Sequence, residues 1–139
     1  MTYLARLRGW SVQVLKPSKG GMGPKRWQTL IRIPKAARKR ILVPVAGKVQ
    51  QGVEYTWKAA GKKHRVRIHD PDPGVAATPT NPAPNARVGW VVRIGRGKWY
   101  MDPEGRYHPH AELNPTGPMY DEFVANETHM PIIMPTSYP

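Results

Sequence analysis

The sequence contains no cysteine and only one phenylalanine in its 139 residues. Disulfides and thiolate metal sites are therefore excluded, and cysteine usage gives no information about the redox compartment. No apolar run approaches the length of a membrane span, and residues 1–8 lack the continuous apolar stretch of a secretory signal. We therefore expect a chain with no membrane partner. Its length fits one domain with a modest core, over residues 1–139.

Charge of one sign is missing from each end of the chain. No acidic residue precedes Glu54, and no Lys or Arg follows Arg106. The formal net charge is +13, and a field of this kind favours nucleic acid as partner, with an anionic membrane surface or an acidic protein as rivals. Five tryptophans interleave with the basic residues and could stack on bases. We nevertheless expect at least three of them to be core residues.

Frequent proline and glycine leave little room for long helices, and alternation with period two recurs between them. Strands are predicted over 10–15 and 27–33, with an edge strand over 41–45, a hairpin of 53–58 with 64–69, and a pair over 89–94 and 98–101. A loop is predicted over 71–86, and short helices are predicted over 2–8 and 120–126. The predicted fold class is α+β, mostly β, with a small twisted antiparallel sheet and short helices.

The strand at 64–69 carries the densest set of reactive side chains. Since side chains alternate between the two faces of a strand, Arg65, Arg67 and His69 share one face, and His64 shares the other with apolar residues. RNA cleavage without a metal needs a base for the 2′-hydroxyl, an acid for the leaving 5′-oxygen, and cations around the phosphorane. Histidine suits the proton transfers, and arginine holds phosphate oxygens in pairs. This face therefore offers one proton carrier and two phosphate clamps.

A second proton carrier must come from elsewhere, and the residues alone leave the choice open. The candidates are His64, His108, His110, His129, Tyr100 and Tyr120. His64 fits a buried structural role as well as a catalytic one. A catalytic metal on His64, His69, Asp70 and Asp72 is disfavoured, because no zinc-type spacing is present.

Several blocks of the sequence resemble the C-terminal toxin domains of bacterial polymorphic toxins, in particular the group labelled type thirty. The blocks lie at 61–73 (GKKHRVRIHDPDP), 89–93 (GWVVR), 100–105 (YMDPEG), 114–115 (NP), 119–121 (MYD) and 128–132 (THMPI). The resemblance implies a toxin-like catalytic part over 53–133 and leaves 1–50 as a basic part of uncertain role. It also implies a ribonuclease that is delivered into a target cell and neutralised by a cognate immunity protein. Such toxins often have a barnase-, colicin- or RelE-like nuclease fold.

Residues and resemblance together predict a metal-independent endoribonuclease without a cofactor, acting on RNA in the cytoplasm of the target cell. The domain is expected to belong to a larger toxin polypeptide or to work with delivery machinery. The immunity protein is expected to be small and acidic. The predicted catalytic residues are His64, Arg65, Arg67, His69, Arg93, Thr128 and His129, with His69 and His129 as the proton-transfer pair. The predicted substrate-binding residues are Lys62, Lys63, Trp90, Tyr100 and Tyr120.

Two other functions remain open at this level. One is a toxin that uses NAD, as an ADP-ribosyltransferase or a NAD glycohydrolase, with Glu122 or Glu127 as its carboxylate. The other is a non-catalytic RNA-binding module whose electrostatic clamp is formed by Lys35, Arg38, Lys39 and Arg40.

Overall fold

The computed structural model describes residues 6–8, 11–16 and 26–139. Within these residues the strands are β1 (Arg6–Arg8), β2 (Ser11–Lys16), β3 (Arg26–Arg32), β4 (Arg38–Ile41), β5 (Gly52–Ala59), β6 (Lys62–His69), β7 (Val91–Arg96), β8 (Trp99–Met101), β9 (Tyr107–Pro109) and β10 (Met130–Pro131). The helices are α1 (Asn85–Val88) and α2 (Glu122–Glu127), with a 3₁₀ turn at His110–Leu113. Strands β1–β3 form one sheet, and the other seven form a second with the path β4-β5-β6-β7-β8-β9. The predicted class, mostly β with short helices, is confirmed.

One apolar core lies against the larger sheet. Val66 on β6 and Val92 on β7 are completely buried there, which matches the predicted alternation on these strands. Val12 on β2 and Ile33 just after β3 belong to the same core. Part of the basic region before residue 50 is therefore packed into the same body as the toxin-like part.

The predicted hairpin of β5 and β6 is present, and glycine is needed at both of its ends. Its two-residue turn consists of Ala60 and Gly61, which both have positive φ (51° and 73°) as this kind of turn requires. At the other end, Gly52 is paired with His69, and a Cβ on Gly52 would lie 2.2 Å from the carbonyl oxygen of Ile68. Glycine therefore permits the close approach of β5 to β6 beside His69.

Two strands share one edge of β7. β8 pairs with residues 95–96 of β7, and β10 pairs with residues 91–92. Arg93 lies between these two pairings, so the sheet has a break beside it.

Two predicted elements differ from the structure. The helix predicted over 2–8 is wrong for Arg6–Arg8, which form β1 because β2 offers them a strand partner; residues 2–5 lie outside the described part. The strand predicted over 41–45 lies at the sheet edge as expected, but it spans Arg38–Ile41. Leu42 next to it is buried, and the chain then enters a turn in which Lys48 N donates to the Val45 carbonyl oxygen, so residues 43–45 do not continue the strand.

The tryptophans divide between core and surface. Trp57 and Trp90 pack against the core, whereas Trp99 is 46% exposed. The side chains of Trp10 and Trp27 lie outside the described part of the chain. Trp90 is therefore on the core side of β7 and not on the face that carries Arg93, since even and odd positions of a strand point to opposite faces.

Candidate active site

Charged residues align across four neighbouring strands on the face opposite the core. Arg40 on β4 is paired with Glu54 on β5, Glu54 with Arg67 on β6, and Arg67 with Arg93 on β7. Arg65 precedes Arg67 by two residues and shares its face. The predicted pairing of the Arg93 strand with β6 is thus confirmed. We call Arg65, Arg67 and Arg93 the arginine face.

Glu54 is the acidic residue of this region, and it was not among the predicted site residues. Its carboxylate lies 3.1 Å from Arg40 Nη2, 3.8 Å from Arg65 Nε and 3.6 Å from Arg67 Nη1. Its side chain is only 12% exposed, so water screens these ion pairs incompletely. The hairpin register, fixed by the turn at 60–61, is the sequence signal that places Glu54 opposite Arg67. One carboxylate shared by several guanidiniums leaves positive charge in excess.

Arg93 lacks a carboxylate partner among the described residues. Its guanidinium carbon lies 4.3 Å from the centre of the Tyr100 ring, and its Nε is buried without a hydrogen-bond partner. Burial lowers the pKa of Arg93; Tyr100 opposes this, and Arg67 and Arg65 lower it further. A buried cation without a counter-charge is costly unless an anion neutralises it. The surroundings of Arg93 therefore favour an anion.

His129 follows α2 and immediately precedes β10, whose register with β7 places residue 129 next to Arg93. Its Nδ1 donates a hydrogen bond of 2.7 Å to the carbonyl oxygen of Ala125, which leaves Nε2 with the free lone pair of the neutral ring. Burial, followed by the charge of Arg93, lowers the pKa of His129 to about 4; the Ala125 carbonyl opposes this and His69 adds to it. At neutral pH this imidazole is uncharged, and its Nε2 can accept a proton.

The local structure holds His129 in place. Asp121 caps α2 by accepting hydrogen bonds from Phe123 N and Val124 N. The amide Nδ2 of Asn85 donates to the carbonyl oxygen of His129 at 3.1 Å. Thr128 is fully buried, and its hydroxyl donates to the same Ala125 carbonyl that His129 uses. Thr128, which was predicted to be catalytic, therefore helps to hold His129 in place.

His69 is the last residue of β6 and is 5% exposed. Its Nδ1 donates 2.7 Å to the carbonyl oxygen of Asp70. Burial lowers the pKa of His69, and Arg67 and Arg93 also lower it, whereas the hydrogen bond to Asp70 and the charge of Asp72 raise it. The two imidazoles of the predicted pair thus face the same excess of positive charge.

The other histidines lie in different surroundings. His64 stacks on Trp57, with ring centroids 5.3 Å apart, on the face opposite Arg65. His108 lies between the carboxylates of Asp102 and Glu112. His110 is exposed, and its ring centroid is 6.2 Å from that of Tyr100. The structure therefore brings His69 and His129 to the arginine face and leaves His64 outside it.

The residues predicted to bind substrate are dispersed. Lys62 and Lys63 are exposed at the hairpin end of β6. Tyr100 lies under Arg93 on the arginine face. Tyr120 lines a cavity beside His129, together with Glu122, which the sequence analysis had considered only for NAD chemistry.

Within the described residues, no group of three or more His, Asp or Glu side chains is arranged to hold a metal ion. Among the same residues, no helix is long and apolar enough to span a membrane.

Comparison with known proteins yields one match. The family model described as bacterial toxin 30 matches residues 28–133. This match begins further toward the N-terminus than the resemblance from Val53 and includes β4, which carries Arg40. Searches of curated proteins and of solved structures found no match. Because the matched range includes more than half of the chain and both strands of the arginine face, the chain belongs to the bacterial toxin 30 family.

Proposed function

We propose that this bacterial toxin domain is a metal-independent endoribonuclease. The observation that carries the proposal is the meeting of two histidines with lowered pKa values, His69 and His129, with the guanidinium of Arg93 that lacks a carboxylate. RNA supplies what this site lacks, an anion at a position where two imidazoles can exchange protons with neighbouring oxygens.

His129 is the base in the proposed mechanism. Its Nε2 accepts the proton of the ribose 2′-hydroxyl, and the 2′-oxygen attacks the adjacent phosphorus. The low pKa of His129, about 4, keeps the ring neutral and ready for this step.

His69 is the proposed acid. The bond between phosphorus and the 5′-oxygen breaks as the protonated His69 donates to that oxygen, which leaves a 2′,3′-cyclic phosphate and a 5′-hydroxyl. His69 is the better candidate for carrying the proton because the Asp70 carbonyl and Asp72 raise its pKa against the effect of burial. A bound phosphate raises the pKa of both rings.

The arginine face stabilises the phosphorane. Two negative charges develop on its oxygens, and Arg93 and Arg67 lie opposite each other on paired strands. Glu54 fixes Arg65 and Arg67 without neutralising the whole face. Tyr100 keeps the Arg93 guanidinium against its ring.

RNA digestion in EDTA tests this proposal. Total RNA is incubated with the wild-type domain and with His129→Ala, His69→Ala and His110→Ala, the last as a matched control on an exposed histidine. We expect cleavage by the wild type and His110→Ala and almost none by the other two. Cleavage only with added metal would overturn the mechanism, and absence of cleavage under all conditions would overturn the class.

A NAD-using toxin is the second candidate, and the position of Glu122 favours it. Glu122 lines the cavity beside His129, whereas Glu127 interacts with Asp102 and Glu104, whose charges add to burial in raising its pKa. Incubation with labelled NAD separates the two functions, because a ribonuclease leaves NAD intact. A non-catalytic RNA-binding module is less favoured, since two residues of its supposed clamp are already engaged: Arg40 pairs with Glu54, and Lys39 donates to the Tyr138 carbonyl.

Membership of a toxin family implies an immunity protein and delivery into a target cell. We propose that the immunity protein is acidic and covers the arginine face, because carboxylates would neutralise the charge that Glu54 leaves in excess. Arg65→Glu together with Arg67→Glu should abolish the complex, whereas Lys62→Glu together with Lys63→Glu should weaken it much less. A partner that binds both double variants equally well would contradict this surface.

A further inference from the structure

A cavity of about 490 Å³ lies beside His129, between the 72–86 loop and α2. Its walls are mainly apolar and include Val75, Pro84 and Leu113, with the ring of Tyr120. The polar lining residues are Thr78, Asn81, Glu122, Asn126 and His129. This combination of apolar walls with a few polar groups, at this volume, is typical of sites that bind small organic groups.

Hydrogen bonds hold the walls of the cavity together. Asn85 N donates to Asn126 Oδ1 at 2.9 Å, and Asn85 Nδ2 donates to the carbonyl oxygen of Asn126 at 3.1 Å, which ties α1 to α2. Arg87 donates to the carbonyl oxygens of Pro73 and Val75. The cavity is therefore formed before any ligand binds.

Glu122 supplies the charged group of the cavity. One of its oxygens accepts a hydrogen bond from the Thr78 hydroxyl, and the other accepts one from Thr80 Oγ1 at 2.6 Å. These two hydroxyls lower the pKa of Glu122, against a small opposing effect of burial. An ionised carboxylate only accepts hydrogen bonds, and each oxygen has a second lone pair for a ligand. The cavity therefore favours a ligand edge that presents two neighbouring donors.

We propose that this cavity binds guanine on the 5′ side of the cleaved phosphate. Guanine is the one standard RNA base whose Watson–Crick edge presents two adjacent donors, N1–H and the N2 amino group, to a carboxylate. The side-chain amide of Asn81 lines the same cavity and can donate to guanine O6. Tyr120 offers a ring on which an unstacked base can pack.

The position of the cavity determines which nucleotide it holds. His129 belongs both to the cavity wall and to the surroundings of Arg93. A base in the cavity has its own ribose next to His129, so its 2′-hydroxyl is the one that loses a proton. The inference rests on the proposed function at this point, because it takes His129 as the base, and it predicts cleavage on the 3′ side of guanosine.

Binding of nucleoside 3′-monophosphates by calorimetry tests the subsite without turnover. We expect guanosine 3′-monophosphate to bind the wild type at least tenfold more tightly than the adenosine, cytidine and uridine compounds. Glu122→Gln should remove this preference, because an amide nitrogen cannot accept from the guanine edge. Glu127→Gln, on the same helix but outside the cavity, should retain it. Equal binding of all four compounds to the wild type would overturn the proposal, as would an unchanged preference in Glu122→Gln.

A second variant guards against misfolding of Glu122→Gln. Tyr120 is 39% exposed, so its replacement by Ala leaves the core intact. Tyr120→Ala should weaken binding of all four nucleotides by roughly tenfold, as loss of a stacking partner does. Unchanged binding of guanosine 3′-monophosphate to this variant would contradict a base in the cavity.

Failure of the subsite and failure of the proposed function give different results. Cleavage of RNA at sites that are not enriched in guanosine would overturn the subsite and leave the ribonuclease standing. A guanine preference in binding without cleavage of any RNA would support the subsite and overturn the ribonuclease. Mapping of cleavage sites on one long RNA, beside the calorimetry, therefore assigns either failure to its cause.

Discussion

Two regions of the molecule combine histidine with charged side chains, and they differ in charge balance. In β9, His108 Nε2 lies 2.8 Å from Asp102 Oδ2 and its Nδ1 lies 3.5 Å from Glu112 Oε2. On the arginine face, His69 and His129 each donate to a backbone carbonyl and lie near Arg93. His108 has two carboxylates within 3.5 Å, whereas His69 and His129 form no ion pair with a described carboxylate, and Asp72 acts on His69 only through its charge. The proposed function places the RNA phosphate in the second region, where positive charge is in excess.

The region around Asp102, His108 and Glu112, which we call the balanced region, has a structural role. Asp102 Oδ1 accepts hydrogen bonds from Glu104 N at 2.8 Å and from Arg106 N at 3.0 Å, which shapes the turn between β8 and β9. Burial raises the pKa of Asp102, but hydrogen bonds from His108, Arg106 and Glu104 together bring it below the usual value. The Asp102 carboxylate is satisfied within the chain, since both of its oxygens accept hydrogen bonds, although Glu112 Oε2 is buried without one. It should therefore contribute to stability and not to chemistry.

The substitution His129→Gln should have the largest effect on catalytic activity. We expect kcat/KM on a short RNA in EDTA to fall by about 10²–10⁴-fold, the usual contribution of a general base. His108→Gln should leave kcat/KM nearly unchanged, because His108 lies in the balanced region. Equal losses in the two variants, with both folded by circular dichroism, would remove the distinction between the regions.

Arg93→Met should separate activity from stability. Loss of one charged group at the phosphorane is expected to lower kcat by about 10²–10³-fold. The melting temperature should stay the same or rise, because a buried cation without a carboxylate partner is removed. Initial rates measure the change in kcat, and thermal unfolding measures the change in melting temperature. A clear fall in melting temperature with activity retained would show that Arg93 is structural.

The pH dependence of kcat/KM should show an acidic optimum. In the free domain, the base limb follows His129, whose pKa is about 4, and the acid limb follows His69, whose pKa is below its ordinary value of about 6.5. We therefore expect a maximum between these values, and a rising limb that disappears in His129→Gln. A maximum above pH 7 would contradict the environment of the two histidines.

The same pKa of His129 links stability to pH. The folded domain binds fewer protons than the unfolded chain between pH 4 and about 6.5, so stability should be complete above this range and decrease as the pH falls through it. Urea unfolding of the wild type and His129→Gln at pH 7 and pH 4.5 measures the difference. The wild type should lose more stability than the variant on acidification.

Asp102→Asn should have the smallest effect on activity and a moderate one on folding. The weaker acceptor should lower the free energy of unfolding by about 1–3 kcal/mol at pH 7. Because the folded pKa of Asp102 is depressed, its contribution is present above the unfolded value of about 3.9 and is lost as the pH falls through the folded pKa. The gap between wild type and variant in urea unfolding should therefore narrow at low pH.

The sequence predicted those parts of the fold that depend on local patterns. Alternation placed Arg65 and Arg67 on one face, and turn residues identified the hairpin that was found. The helix before His129 was also predicted, and α2 lies in that part of the chain. Each of these follows from side-chain periodicity or turn chemistry within a few residues.

Other features depend on contacts between distant residues. β10 has two residues, one of them a proline, so no strand pattern indicates that it pairs with β7 and brings His129 to Arg93. Glu54 was missed because its ion pairs are with residues on other strands, which local sequence patterns do not show. Trp90 was predicted to bind substrate, but its side chain packs against the core. His64 fitted a structural role as well as a catalytic one, and its stack on Trp57 of another strand places it on the face opposite Arg65.

The chemical ends of the RNA products distinguish cleavage by two histidines from cleavage by a metal. A short RNA is digested by the wild-type domain in EDTA, and the fragments are weighed by mass spectrometry. We expect a 2′,3′-cyclic phosphate on one fragment and a 5′-hydroxyl on the other, and we expect His129→Gln to form neither fragment. Fragments that carry 5′-phosphates, or that form only after a metal is restored, would contradict it.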